Sequence, residues 1–289
     1  MKLIVLISCM HEKDYSIIER SNVQTDVVVV NQCDKDSIDE FDFKNKKGET
    51  CHAKFINTTE RGLSRSRNMA IKNAWGDVCL IADDDEIFED DIEETIIMNF
   101  HNHPKASLIA FSLRWVDVNV SYPSKPMILR FKNLLQVSSV QICFKLMDVI
   151  NNNILFDEKM GSGTGNGGGE ENHFMLDCRK FGFEMWYCPG IIATISKGDS
   201  KWFKGYTEKY FRDRGWISRR NLGLFWGLLF VWYNAPTSAG RTSFVSLSQM
   251  TMPPGATHLS TMGRIFSSVP LWKGGSSSTR SNCSRQADK

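Results

Sequence analysis

Residues 62–88 have the sequence GLSRSRNMAIKNAWGDVCLIADDDEIF. The pattern predicts a helix over Ser64–Trp75, which Gly76 ends, and then a short apolar strand over Val78–Ala82. Four carboxylates, Asp83–Glu86, follow this strand without a break. Because ligands bind at the carboxyl ends of strands in open α/β sheets, the stretch predicts both an α/β fold and the position of its binding site.

The sequence on both sides of this stretch continues the alternation of strands and helices. Lys2–Ser8 and Asp26–Asn31 are apolar runs typical of buried parallel strands, and Asp14–Ser21 between them has helical spacing. Further along the chain, the same criteria predict helices and strands at Asp90–Phe100, Ala106–Leu113, Ser138–Leu146, Glu170–Phe181 and Phe183–Cys188. This alternation predicts an α/β fold with a mostly parallel central sheet.

The composition allows one large domain, and the charge is unevenly distributed along it. Of the 289 residues, 42% are hydrophobic, which is enough to bury a full core. Residues 211–289 carry ten Lys and Arg against two Asp and Glu, whereas the rest of the chain carries 25 against 31. A basic C-terminal part favours contact with an anionic surface such as phospholipid or a polyprenyl phosphate. No DNA- or RNA-binding motif accompanies the charge, so we expect no nucleic-acid partner.

Pattern and composition divide the chain into three parts: an α/β domain at 1–205, a basic and apolar helical segment at 206–233, and a tail at 234–289. Leu222–Tyr233 in the second part is too short to span a bilayer, and an interfacial helix and a buried helix both remain open. The tail is rich in Ser, Thr, Gly and Pro with little periodicity, so we expect it to be poorly ordered.

The N terminus and the cysteines bear on where the protein works. The apolar run Leu3–Ile7 is shorter than the h-region of a signal peptide, so we interpret it as a core strand. Eight cysteines are scattered without any C-x-x-C pair, which argues against a zinc ribbon and favours a reducing compartment. We therefore expect a cytoplasmic location, with peripheral contact to the cytoplasmic face of the membrane as an open alternative.

The carboxylates at Asp83–Glu86 are the strongest chemical signal. Several carboxylates crowded at one strand end repel each other unless a cation neutralises them. Hard oxygen ligands suit Mg²⁺ or Mn²⁺, ions that commonly bridge substrate phosphates. An acidic loop that only caps the next helix is the alternative. The apolar strand before the cluster and Ile87-Phe88 after it favour the metal site.

Two further stretches add candidate residues. Arg67, on a helix that opens toward the same strand ends, could bind a diphosphate through bidentate contacts, although a solvated basic helix face is an alternative. The glycine-rich loop Gly161–Gly169 could close over a substrate, and Glu170-Glu171 after it could supply a general base. An ordinary acidic helix N terminus is the alternative for the pair. The loop matches G-x-G-x-x-G, but no apolar strand precedes it, so we reject a dinucleotide site.

Residues 62–88 resemble the core of the family 2 glycosyltransferases, in which an Arg-Asn pair and a helix precede a strand that ends in an Asp-x-Asp motif. The resemblance covers about residues 1–205 and implies the GT-A fold, a Rossmann-like fold of nucleotide-diphospho-sugar transferases. It implies that Asp83 and Asp85 bind the metal, with Asp85 as the direct ligand and Asp84 as a neighbour at the donor. It also places Arg67 and Asn68 near the nucleotide.

The resemblance assigns roles in two other segments. VVVVNQCDKDS at 27–37 is similar to the second strand of the family, so Gln32, or Asp34 nearby, would read the base. Ser8 and Cys9 at the end of the first strand would line the nucleotide pocket. In the acceptor half, Glu170 and Glu171 match an acidic pair before a helix, and the second acid, Glu171, would be the catalytic base.

The activity that the resemblance implies is inverting transfer of a sugar from a nucleotide-diphospho-sugar, with UDP-sugars favoured, to a glycan or a lipid-linked sugar acceptor. Bacterial capsule and O-antigen polysaccharide transferases are the most similar members. Two alternatives remain: a nucleotidyltransferase that acts on sugar phosphates, and a non-catalytic nucleotide-sugar-binding module. The first usually has a basic, Gly-rich phosphate loop near its N terminus, which residues 2–14 lack. The carboxylates argue against the second.

Overall fold

The structure is a computed structural model that describes residues 1–195 and 208–233, with side chains in the second range at 209 and 212–227. The strands are β1 (Leu3–Met10), β2 (Asp26–Gln32), β3 (Ser37–Lys44), β4 (Thr50–Thr58), β5 (Val78–Asp83), β6 (Glu86–Phe88), β7 (Ala106–Trp115), β8 (Met127–Ile128), β9 (Ile142–Lys145) and β10 (Glu184–Ile195). The helices are α1 (Ile17–Arg20), α2 (Leu63–Lys72), α3 (Ile92–Asn102), α4 (Phe131–Leu134), α5 (Leu146–Asn151), α6 (Glu170–Lys180) and α7 (Glu208–Tyr233).

One sheet organises the described residues, with strand order β3-β4-β2-β1-β5-β9-β7-β10-β6 and with β8 paired to β10. β4, β2, β1 and β5 are mutually parallel, as are β7 and β10, whereas β9 runs antiparallel to both of its neighbours. The ends of the sheet are antiparallel too, at β3 and β6. The parallel core agrees with the predicted sheet, and its strands end at one edge, where the carboxylates lie.

Helices cover both faces of the sheet and explain why its central strands are almost entirely apolar. Val5 and Ile7 of β1 pack in the cluster that contains Phe100 of α3, whereas Ile4 and Leu6 pack in the cluster that contains Phe174 of α6. Successive side chains of a strand point to opposite faces, so a strand covered on both faces has to be apolar throughout. This sandwiched sheet fixes the positions of the strand ends.

The sheet differs from the sequence predictions at three places. The hairpin of β3 and β4 was not predicted, because SIDEFDFK alternates between half-buried and exposed positions and is rich in charge. The strand predicted at Ser138–Leu146 is only Ile142–Lys145, since Ser138 and Gln141 form a capping box around a turn of 3-10 helix. β10 continues past Pro189 to Ile195, with register shifts after Tyr187, and proline is tolerated in strands at such bulges.

The C-terminal helical segment starts earlier than the predicted apolar run and is not a continuous helix. α7 spans Glu208–Tyr233, and Gly223 interrupts it with φ 76° and ψ 175°. Among the helices that the structure describes, none has the length and apolar character needed to cross a membrane. Residues 196–207 and the predicted tail at 234–289 lie outside the described residues, so the boundaries at 205 and 233 stay predictions.

Candidate active site

The carboxyl ends of two central strands bring the first site residues together. β5 ends at Asp83, which lies beside Ser8 of β1 in the parallel register. The Asp83 side chain is half-buried, whereas Asp84 and Asp85 are exposed on the turn that follows. The strand-end carboxylates are therefore accessible at the edge of the sheet where ligands bind in folds of this type.

Negative charge is concentrated in this turn. The Glu86 carboxyl, which is 1% exposed, accepts a hydrogen bond from the Asp83 backbone N–H at 3.0 Å. Burial, and next the charge of Asp83, raise the pKa of Glu86 well above its ordinary value. Desolvation of its carboxyl by the surrounding protein, and next the charge of Asp83, raise the pKa of Asp84, although the residue is partly accessible to solvent. Four acidic side chains, Asp83–Glu86, are thus crowded in one turn, and a divalent cation would offset their mutual repulsion.

Arg67 lies at the strand ends, as the sequence predicts, but its side chain is buried. Its side chain is 1% exposed, and its guanidinium lies between β5 and α6. Nη2 donates to both carboxylate oxygens of Asp83, at 2.9 and 3.2 Å, and Nη1 donates to Glu170 Oε1 at 3.0 Å. Both terminal nitrogens are engaged with carboxylates of the protein, and the bidentate contact with a diphosphate stays a prediction.

The first turn of α6 carries the predicted general base. Glu170 is buried, and Glu171 beside it is half-buried. Burial, and next the charge of Glu170, raise the pKa of Glu171 to about 7. Asn172 Nδ2 donates to Glu171 Oε1 at 2.6 Å. A carboxyl that titrates near neutral pH is suited to accept a proton from a substrate hydroxyl.

The glycine-rich loop is attached to the start of α2. The Leu63 backbone N–H donates to Ser162 O at 3.0 Å, and Ser64 Oγ donates to Met160 O at 2.7 Å. A Cβ on Gly163 would approach Gly62 Cα at 3.3 Å. The loop therefore lies directly against the segment that precedes Arg67, and it connects the donor half of the predicted site to α6.

α7 packs over the other end of this loop, a contact that the sequence did not predict. Gly169, the residue before α6, has φ 83°, and a Cβ there would lie 2.6 Å from Ile217 Cγ2 of α7. Lys209 Nζ donates to Gly165 O at 2.6 Å, and His173 Nδ1 is hydrogen-bonded to Asn221 Oδ1 at 2.9 Å. No role was assigned to His173 from the sequence, and no local signal connects it with a residue 48 positions away.

Two of the predicted donor-binding residues hold strand ends to the start of α2. Ser8 Oγ accepts a hydrogen bond from Ser66 Oγ at 2.9 Å, and Gln32 Oε1 accepts one from the Gly62 backbone N–H at 2.7 Å. Ser8 is 5% exposed and Gln32 is 4% exposed. Both therefore shape the floor of the strand-end region, and a direct contact of either with a nucleotide stays a prediction.

Cys9 and Asp34 have contrasting surroundings. Cys9 is 2% exposed and packs in the apolar cluster beneath the strand ends, where burial raises the pKa of its thiol. The predicted nucleotide contact of Cys9 stays a prediction. Asp34 lies at the exposed surface and accepts a hydrogen bond from Arg61 Nη2 at 2.7 Å. Of the two, only Asp34 is accessible to a ligand.

Asn68 anchors the segment that precedes the glycine-rich loop. Its Nδ2 donates to Phe156 O at 2.9 Å, and its Oδ1 accepts from the Phe156 backbone N–H at 2.8 Å. Asn68 is 2% exposed. Its side-chain amide thus forms one donated and one accepted hydrogen bond with the backbone of the segment that leads into the glycine-rich loop. Both polar atoms of the side chain are used within the protein, and a donor contact of Asn68 stays a prediction.

One further residue at the site was missed. Ser139 Oγ accepts a hydrogen bond from Arg67 Nη2 at 2.9 Å. Ser138 and Gln141 around it form a capping box, a pattern that a search for helix starts could have found. The contact of Ser139 with Arg67, 72 residues away, has no counterpart in the local sequence.

The sequence of the chain identifies its protein family. The sequence model of glycosyl transferase family 2 matches residues 15–162, just over half of the chain. The chain belongs to glycosyl transferase family 2. The family resemblance seen in residues 62–88 is thus confirmed, and the matched range contains the carboxylate cluster and Arg67 but ends before Glu170. A search of curated protein sequences gave no match to the chain.

Solved structures share the fold at low sequence identity. TarS residues 1–349 of S. aureus in complex with UDP-GlcNAc superimposes with a TM-score of 0.55 and 16% identity, over 75% of this chain and 66% of that one. The same protein in complex with UDP gives a TM-score of 0.53 and 16% identity, over 75% and 64%. PcManGT, a mannosyltransferase from Pyrobaculum calidifontis in complex with GDP-Man and Mn²⁺, gives 0.46 and 15%, over 74% and 61%.

The family match and the likeness to TarS confirm the predicted fold class. The chain has the α/β fold of the GT-A glycosyltransferases, with a mostly parallel core sheet. At 16% identity the likeness to TarS shows the fold alone. The matched region spans just under two thirds of the TarS chains at most.

Proposed function

We propose that this family 2 member is an inverting glycosyltransferase that moves a sugar from a nucleotide-diphospho-sugar to an acceptor hydroxyl. The observation that carries the proposal is that Asp83 and Glu170 bind one guanidinium, that of Arg67. This brings the strand-end carboxylates and the helix of the predicted base Glu171 to one site. A transferase needs both, because the leaving group and the attacking hydroxyl meet at one carbon.

For the donor, we propose a UDP-sugar. The support is that TarS, which has a similar fold with a TM-score of 0.55, was solved in complex with UDP-GlcNAc. Asp34 at the exposed rim and the turn at Asp84-Asp85 are the accessible predicted donor residues. Arg67 is not part of this proposal, since it binds carboxylates of the protein.

For the metal, we propose Mg²⁺ or Mn²⁺ at Asp85, with Asp83 behind it. The residues fit such an ion because the exposed carboxyls of Asp84 and Asp85 supply hard oxygen ligands at a turn where four acidic side chains are crowded. Within the described residues, no three Asp, Glu, His or Cys side chains are grouped as a metal site by themselves. Mg²⁺ commonly binds through one or two carboxylates together with substrate phosphates and water.

The remaining chemistry falls to residues of α6. Glu171 accepts the proton of the acceptor hydroxyl, and the oxygen attacks the anomeric carbon opposite the diphosphate. The bond from that carbon to the diphosphate oxygen breaks, so the nucleoside diphosphate leaves and the configuration inverts. A bound divalent ion would neutralise the charge that develops on this leaving group. The glycine-rich loop, which lies between α2 and α6, would exclude water that could otherwise hydrolyse the donor.

A donor panel with product analysis tests the function. We expect UDP-sugars together with Mn²⁺ to raise the melting temperature of the full chain, since a ligand that binds only the folded state stabilises it. With a sugar acceptor, the product should be a nucleoside diphosphate and a glycoside of inverted configuration. In a parallel reaction with a nucleoside triphosphate and a sugar 1-phosphate in place of the UDP-sugar, release of pyrophosphate would favour the nucleotidyltransferase alternative. Stabilisation without any turnover or donor hydrolysis would favour the binding module.

We propose a glycan or lipid-linked sugar as the acceptor, used in capsule or O-antigen type polysaccharide synthesis at the cytoplasmic face of the membrane. The support is on α7, where Arg219 is exposed and Leu224, Phe225 and Trp226 are 51%, 66% and 65% exposed. Basic and aromatic residues next to each other are typical of surfaces that lie in a membrane interface.

Membrane contact predicts co-sedimentation of the full chain with phosphatidylglycerol vesicles and weaker binding to phosphatidylcholine vesicles. Replacing Phe225 and Trp226 with Ser should reduce the bound fraction, because the apolar area that enters the interface is lost. Exposed Phe181, far from this segment in sequence, provides the control as Phe181→Ser. Equal binding of all three proteins, or no binding to anionic vesicles, would contradict the proposal.

A further inference from the structure

Arg67 joins two parts of the proposed site that are distant in sequence. Asp83 ends β5, 16 residues from Arg67, and Glu170 starts α6, 103 residues away. The Arg67 side chain is 1% exposed and that of Glu170 is 6% exposed. Both ion pairs, to Asp83 at 2.9 Å and to Glu170 at 3.0 Å, meet on this one side chain. One buried guanidinium therefore links the strand-end turn with the start of α6, in addition to the apolar packing of α6 against the sheet.

The ion pair is not a fully satisfied core network. Arg67 Nε and Glu170 Oε2 are buried and have no hydrogen-bond partner among the described residues. Buried polar atoms without partners are uncommon and each calls for an explanation, such as a functional role or a bound molecule. A purely structural ion pair would be expected to use these atoms, because leaving them unpaired costs free energy.

The same two charges act on Glu171. The charge of Glu170 raises the pKa of Glu171 and the charge of Arg67 lowers it, after the larger effect of burial. Arg214 of α7 also lowers it. Glu170 lies on α6, Arg67 on α2 and Arg214 on α7, so charged groups from these three helices act on the Glu171 carboxyl.

We propose that Arg67 is a positioning residue that couples the donor side of the site to the base, by holding Asp83 and Glu170 on one guanidinium. This inference rests on the proposed function, in which Glu171 is the base. Arg67 needs no contact with the substrate for this role. Its planar fork suits it, since a guanidinium can bind two carboxylates at once, whereas a lysine ammonium acts as a single point charge.

The test compares the pH at which kcat reaches half of its maximum, called the midpoint, between variants of Glu170 and Arg67. The two variants that remove a charge should shift this midpoint in opposite directions. Glu170→Gln removes a negative charge beside Glu171, so the midpoint should move to lower pH by about one unit. Arg67→Gln removes a positive charge, so the midpoint should move to higher pH by about one unit. Arg67→Lys keeps the charge, so it should leave the midpoint near the native value while lowering kcat by about 10-fold or more.

A matched control lies on the same helix. Arg65 is 50% exposed and pairs with Glu158 at 3.4 Å, so Arg65→Gln should change neither the midpoint nor kcat. A merely structural role for Arg67 would lower the melting temperature of its variants without opposite midpoint shifts in Arg67→Gln and Glu170→Gln. If Glu170→Gln and the double variant that combines Arg67→Lys with Glu170→Gln both fold but keep the native midpoint, the coupling is overturned.

A second measurement keeps this test independent of turnover and of the folding of Arg67→Gln. Glutamate side-chain carboxyls labelled with ¹³C can be titrated by NMR in the full chain, with Glu171→Gln to assign the signal. The Glu171 signal should titrate at lower pH in Glu170→Gln than in the native protein; an unchanged titration overturns the coupling. Absence of transfer by the native chain would instead count against the proposed function.

Discussion

Replacing Glu171 with Gln should lower kcat by about 10²–10⁴-fold, the contribution of a positioned general base. The amide has nearly the size and shape of the carboxylate but cannot accept the hydroxyl proton. Donor affinity should change little, because Glu171 lies on α6 and not at the strand-end turn. Steady-state kinetics with a saturating acceptor, together with isothermal titration of the donor, measure the two effects separately.

The pH dependence of the native protein sharpens this prediction. The pKa of Glu171 is raised to about 7, so its carboxyl is mostly protonated at pH 6 and mostly ionised at pH 8. A base has to be ionised, so kcat should rise with pH through about 7 and then level off. The residual activity of Glu171→Gln should lack this rise.

The raised pKa of Glu171 also affects stability, which should fall with rising pH whereas kcat rises. Between the ordinary pKa of a glutamate and about 7, the folded state retains a proton that the unfolded state has lost, so the free energy of unfolding falls as pH rises through this window. Glu171→Gln removes the effect. Its melting temperature should therefore exceed that of the native protein at pH 8 by more than at pH 4. This outcome separates loss of the base from loss of the fold.

Glu94 supplies the control for this variant. It also lies in the first turn of a helix, α3, and its side chain is 61% exposed and paired with Lys47. Glu94→Gln should leave both kcat and its pH profile unchanged. Near-native transfer by Glu171→Gln would show that another group is the base, and the assignment of α6 to the acceptor side would then be wrong.

The second large effect is expected at Asp85. In the presence of Mn²⁺, Asp85→Asn should bind a UDP-sugar about 100-fold more weakly or worse, because loss of a direct metal contact removes several kcal/mol. The side chain is exposed on the turn after β5, so its melting temperature should stay close to that of the native protein. Titration calorimetry with and without Mn²⁺ measures the metal-dependent part of the affinity.

Asp83→Asn should behave differently from Asp85→Asn. Both Asp83 carboxylate oxygens accept hydrogen bonds from the buried Arg67, so the substitution weakens a buried ion pair and should lower the melting temperature. Asp90→Asn, on the exposed side of the next turn and paired with Lys46, is the neutral control. If Asp85→Asn kept native Mn²⁺-dependent affinity, the metal would have to bind elsewhere.

Much of the fold could be predicted from local pattern. The apolar runs of β1, β2 and β5 and the spacing of α2 are local properties of the sequence, and burial of a parallel sheet on both faces requires such runs. The path of β10 beyond Pro189 could not be predicted in this way. A proline is compatible with a strand only at a bulge or edge, and the register shifts that accommodate it depend on pairing with β7.

For the site, the sequence by itself determined which chemical groups are present and the edge of the sheet at which they lie. Asp83, Asp84 and Asp85 follow an apolar strand, and the direction of a parallel strand fixes where its end points. Only the tertiary structure decided the partners of Arg67 and Asn68, which the sequence placed at the nucleotide. Those partners lie up to 103 residues away and form buried polar contacts, which depend on how helices and strands pack and leave no periodic trace in the chain.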